Sequence, residues 1–131
     1  MTTHSAWLPQ HRKSAGTART MLRDFLADPV PNGELFACDA EVILSELVTN
    51  ALLHGRSGPE QLIFIRFDLS PALLRIEVHD ASGKPPTLAP VGADEECGRG
   101  LLLVERLSRD RGFGPREGIG KLVWATVGPE A

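Results

Sequence analysis

The sequence predicts a two-layer α+β sandwich, a mixed and mostly antiparallel sheet covered on one face by helices. Two segments with helical apolar spacing are followed by two adjacent segments of strict alternation, and a further strand-like run comes near the end. Helices therefore precede and interrupt the strands instead of alternating with them one for one. Neither GxGxxG nor GxxxxGK[ST] occurs, so the strand, glycine turn and helix that open a Rossmann or P-loop fold are missing. The 131 residues, 42% apolar and 24% charged, suit one globular domain spanning 1–131 with a single core.

The first helical stripe starts at Ser14, where Ala18, Met21, Leu22, Phe25 and Leu26 recur at three- and four-residue steps, and it ends before Pro29. Pro29, Pro31, Asn32 and Gly33 form a turn. A longer helix is predicted from about Leu35 to His54, with Ala40, Ile43, Leu44, Leu47, Val48, Ala51 and Leu52 on one broad arc and Gly55 as its stop. From Gln61 to Leu69 the period changes to two, with Ile63, Ile65, Phe67 and Leu69 sharing a face. Pro71 turns the chain into a second such run, Leu74, Ile76 and Val78, and two adjacent antiparallel strands result. The stretch from Ala81 to Cys97 holds three Pro and two Gly and reads as an exposed, mobile loop. A short helix from Leu101 to about Leu107 and a final strand from Leu122 to Val127 complete the pattern. The glycine-rich segment from Arg111 to Gly120 is a candidate for one more strand.

Charge and cysteine usage narrow the function classes. A net charge of -3 with both signs scattered does not suit a surface that neutralises nucleic-acid phosphates. Cys38 and Cys97 match no metal or redox spacing and read as reduced thiols. Met1 to Lys13 has no apolar stretch long enough for a signal peptide, and no run approaches a membrane span. The expectation is a cytoplasmic protein with no membrane contact.

Three clusters carry candidate chemistry. Glu46 and Asn50, four residues apart on the long helix, lie one above the other at the edge of the apolar arc. A carboxylate there can accept a proton from an attacking hydroxyl, and the carboxamide oxygen can coordinate Mg²⁺ on phosphates. The same spacing also suits a solvated helix flank. Asp80 continues the face of Leu74, Ile76 and Val78, which puts a carboxylate on a core-facing position. It needs hydrogen-bond donors there, and the amino group of an adenine is one candidate. The other reading is a strand end that satisfies the turn at Ser82 and Gly83. Gly98, Arg99 and Gly100 precede the short helix at Leu101, where glycines admit a ligand close to the backbone and helix N–H groups favour a phosphate; a lone GxG equally suits a flexible helix entry.

In this order, ExxxNA (Glu46, Asn50, Ala51), a strand ending in Asp80 and GxGL (Gly98, Gly100, Leu101) resemble the ATP-binding family shared by DNA gyrase, MutL, the large heat-shock chaperone and sensor histidine kinases. The stretch SELVTNALLHG, with GRGLLLVERLS and GKLVWA, is most similar to the small bacterial branch of anti-sigma factor serine kinases. The resemblance implies the Bergerat-type ATP-binding fold. It further implies Glu46 as general base, Asn50 as Mg²⁺ ligand, Asp80 with Gly83 as the adenine end, and Gly98, Arg99, Gly100 and Leu101 at the phosphate-facing end of a mobile lid over about 81–99. His54, one turn beyond Asn50, either faces the phosphates or marks a polar helix end. ATP and Mg²⁺ are the implied cofactors, and the implied activity is a protein serine/threonine kinase of transcription regulation. Its implied partners are a sigma factor and an anti-anti-sigma protein, with homodimers common. The alternative is a non-catalytic, nucleotide-gated module that sequesters a sigma factor or another regulator. A detached histidine kinase domain is disfavoured because no phosphoacceptor His lies in an upstream helix. Two departures stand out. Ser82 and Lys84 occupy positions where the family usually has glycines, and Lys121 stands where a Thr is common.

Overall fold

The computed structural model describes residues 2–27, 33–54, 62–70, 73–80, 108–115 and 120–128. Its elements are β1 (Thr2–Pro9), α1 (Lys13–Ala27), α2 (Gly33–His54), β2 (Leu62–Ser70), β3 (Leu73–Asp80), β4 (Asp110–Pro115) and β5 (Lys121–Val127). The strands form one sheet in the order β1-β2-β3-β5-β4, and every pairing among them is antiparallel. The expected α+β sheet with helices is present, and the described strands lie at its antiparallel limit.

Alternation decides which face the helices cover. Ile63, Ile65, Phe67 and Leu69 of β2 are buried on the same side as Leu74, Ile76 and Val78 of β3 and Ala125 and Val127 of β5. Leu22 and Leu26 of α1 and Ala40, Ile43, Leu44, Leu47, Val48 and Ala51 of α2 complete this one core. Burying a Leu, Ile or Phe side chain contributes about 1.5–3 kcal/mol each, so the helical and two-residue periods specify the layers together. α1 packs on α2, and α2 packs on β3 and β5.

Polar groups hold the element ends. The Lys13 N–H donates to His11 Nδ1 (3.1 Å), and Ser14 Oγ donates to the Pro9 carbonyl (2.6 Å). The first bond satisfies an N–H left open in the first turn of α1, and the second ties that turn to the end of β1. Gln10 Nε2 donates to the Ala51 carbonyl at 2.8 Å, tying the turn after β1 to the last turn of α2.

β1 is the element that periodicity does not show. Of its eight residues only Leu8 is buried, so the alternation that signals a half-buried strand is absent. Its identity comes from eight paired positions along β2, from Thr2 opposite Leu69 to Pro9 opposite Leu62. Pro9 is tolerated because an edge strand has a partner on one side only. The glycine-rich candidate segment does supply a strand, β4, over Asp110–Pro115. Its Gly112 lies beneath Trp124, whose ring would stand 2.8 Å from a Cβ at that position. The loop 81–99 and the expected short helix at 101–107 lie outside the described residues.

Candidate functional site

The final rung of the β3–β5 ladder differs from those before it. Leu74 opposes Val127, Ile76 opposes Ala125 and Val78 opposes Val123, after which Asp80 opposes Lys121. All four rungs have core-face parity, and Asp80 and Lys121 are 1% and 3% exposed. Lys121 Nζ lies 2.9 Å from Asp80 Oδ2 and 3.1 Å from Oδ1. An isolated charge in such a place costs several kcal/mol, so each ion is tolerable because the other is there.

Register thus places the Asp80 carboxylate on the core face, and among the described residues the ammonium of Lys121 is a donor that it faces. Sequence reasoning treats Lys121 only as a departure from a family pattern. The signal that could have found it is the alternation Lys121, Val123, Ala125, Val127, which puts the ammonium on the apolar side of its strand.

α2, packed on the strands that carry this pair, holds the second cluster. Asn50 is 7% exposed and extends the buried arc, and Glu46, one turn earlier, is half-buried. At i and i+4 the two side chains share one side of the helix. Arg19 Nη1 donates to Ser45 Oγ at 3.2 Å, fixing α1 against the turn that bears Glu46. The described residues therefore bring the Glu46 and Asn50 helix and the Asp80 strand end onto packed neighbours. The His54 side chain, Gly83, Gly98, Arg99, Gly100 and Leu101 lie outside the described residues, as do Ser82 and Lys84. Among the described residues no group of three His, Cys, Asp or Glu side chains converges as a metal site.

The opposite face of the same strands is built differently. Arg75 Nε donates to Glu77 Oε2 at 2.7 Å, and His79 Nε2 lies 3.0 Å from Glu77 Oε1. The Arg75 guanidinium also stacks 4.5 Å from the Trp124 ring centre. Burial pushes the Glu77 carboxyl up, but the His79 and Arg75 hydrogen bonds and charges outweigh it and hold the group below its ordinary value. Trp7 and Phe64 extend this face toward the β1 edge, with ring centres 4.8 Å apart.

Comparison with known proteins agrees with this architecture. Residues 8–127 match the family model for the histidine kinase-like ATPase domain. The chain is 25% identical over 118 residues to an anti-sigma F factor of Bacillus cytotoxicus, covering 83% of this chain and 80% of that protein. It superposes on the histidine kinase domain of the Erythrobacter litoralis EL346 blue-light activated histidine kinase with a TM-score of 0.55 at 19% identity. That alignment covers 92% of this chain and 61% of the histidine kinase chain, and it speaks to the fold. With the two-layer sheet, the α2 cluster and the strand-end carboxylate in place, the match across 8–127 makes this chain a member of the histidine kinase-like ATPase domain family.

Proposed function

We propose that the domain binds Mg-ATP and transfers its γ-phosphate to a serine of an anti-anti-sigma-type protein, acting in the cytoplasm as an anti-sigma factor. The observation that carries this reading is the buried Asp80, a carboxylate on an otherwise apolar strand face at the end of β3. An acceptor in such a place suits the amino group of an adenine, a neutral donor that a dry site can hold. The similarity to an anti-sigma F factor supports the regulatory role.

The donor set fits the metal as well. Mg²⁺ keeps several waters and takes few protein ligands when phosphates supply the rest, so Asn50 with a triphosphate suffices in place of a three-carboxylate cage. When bound, the metal neutralises phosphate charge. Asn50 orients it, and Glu46, one turn away, accepts the proton of the attacking serine hydroxyl. Gly98, Arg99, Gly100 and Leu101, with His54, are the residues this reading assigns to the phosphates, and Gly83 is the one it assigns to the base. A homodimer that grips one sigma factor is the assembly this role suggests.

Calorimetric titration with ATP and ADP, with and without Mg²⁺, tests the binding step, and loss of both affinities would end the proposal. Transfer of labelled phosphate to candidate partners tests the kinase step. Glu46→Ala is expected to reduce transfer by about 10²-fold or more, the lower range for general base catalysis, while ATP affinity changes little. ATP binding without transfer to any partner would assign the domain instead to nucleotide-gated sequestration.

A further inference from the structure

Gln10 carries a buried polar atom that the fold does not use. It sits in the turn between β1 and α1, where its Nε2 donates to the Ala51 carbonyl at 2.8 Å. Its Oε1 is buried and has no hydrogen-bond partner among the described residues. Such an orphan costs more than one neutral hydrogen bond returns on balance, and native interiors leave few of them. An unbranched apolar side chain of similar length, such as Met, would fill the space without it. Lys or Arg would supply a donor without an orphaned acceptor, but at the heavier cost of desolvating a charge. Stability therefore does not account for the amide, whereas the placing of its N–H does.

That N–H meets the backbone beside a candidate site residue. Ala51 follows Asn50 on α2, and both are buried. Among the described residues no hydrogen bond holds the Asn50 carboxamide itself, so the direction of that side chain follows the backbone of the turn that bears it. The other end of the Gln10 strut is pinned. The Pro9 carbonyl accepts from the His11 N–H at 2.8 Å and from Ser14 Oγ at 2.6 Å, and the His11 carbonyl accepts from the Ser14 N–H at 2.8 Å. Gln10 thus joins a closed turn to the last turn of α2 across 41 residues of chain.

Resting on the Mg-ATP reading above, we propose that Gln10 is a positioning residue for the Asn50 end of α2. Its amide N–H holds the Ala51 carbonyl, and with it the turn that aims the Asn50 carboxamide. Residues that orient a metal ligand from behind govern metal affinity without touching the metal.

The test measures ATP affinity with Mg²⁺ and in EDTA, together with the urea midpoint, for the wild type and Gln10→Met. The variant removes donor and orphan together and keeps the length of the side chain. Its urea midpoint is expected at or above that of the wild type. Its ATP affinity in EDTA is expected to stay within about twofold, while the gain in affinity that Mg²⁺ brings falls about tenfold, the lower range for a lost supporting residue. An equal gain in the two proteins overturns the assignment. So does an affinity that falls alike with and without Mg²⁺, and so does a Gln10→Met protein with a lowered midpoint or no fold, because the amide is then a structural tie. A wild type that binds no ATP, or binds it alike with and without Mg²⁺, refutes instead the reading on which this assignment rests.

Discussion

Two charge clusters occupy neighbouring positions of β3 on opposite faces of the sheet, and they behave as different chemistry. Asp80 and Lys121 lie on the helix-covered face with side chains 1% and 4% exposed, whereas Glu77 and Arg75 on the other face are 15% and 35% exposed. Partner distances are alike, 2.9 Å and 2.7 Å. What differs is the medium. On the open face water still solvates much of the guanidinium, so losing a partner is partly compensated. Beneath α2 no water replaces a missing ion, and the remaining charge bears the full cost of burial. The same contact is therefore marginal on one face and obligatory on the other.

The largest effect should come from breaking the covered pair on one side only. Lys121→Met is expected to destabilise the fold by about 3–5 kcal/mol, read as a shift in urea midpoint. The double variant Asp80→Leu with Lys121→Met should recover most of that loss while abolishing nucleotide binding. A single variant as stable as the wild type would show that the pair is not desolvated in solution.

Next in size is the packing that shelters the open-face cluster. Gly112→Ala would set a Cβ 2.8–2.9 Å from three atoms of the Trp124 ring, and the ring on which Arg75 stacks must shift. The expected cost is about 1–3 kcal/mol, as for overpacking, with a change in Trp124 fluorescence. Smaller again is Glu77→Gln, expected to cost less than about 1 kcal/mol in the same urea titration, in keeping with partly exposed ion pairs.

The smallest effect is one of pH. Because the native Glu77 carboxyl sits below its ordinary value, its contribution is present above the unfolded group's value of about 4.3. It disappears as pH falls through the lowered native value. Melting curves of wild type and Glu77→Gln should differ at neutral pH and converge in acid; divergence in acid would reverse the sign and contradict the cause given.

Much of this comparison is legible in the residues themselves. Alternation through Leu74, Ile76 and Val78 predicts that Asp80 faces the core, and the 3.6-residue period places Asn50 beside the buried arc of α2. Both follow from local geometry, since a two-residue or four-residue step fixes which side a side chain takes. β1 is different. Its polar residues hold position through pairing with β2, a contact across about 60 residues of chain that no local pattern encodes.

The sequence by itself determined the layers, the order of elements from α1 to β3, and the family of the domain, because periodicity and motif order are local properties of the chain. Only the tertiary structure decided that Lys121 is the counter-ion of Asp80. Forty-one residues separate the two, and only the β3–β5 register lays them on one rung. That register turns a scattered Asp and Lys into a buried acceptor and donor.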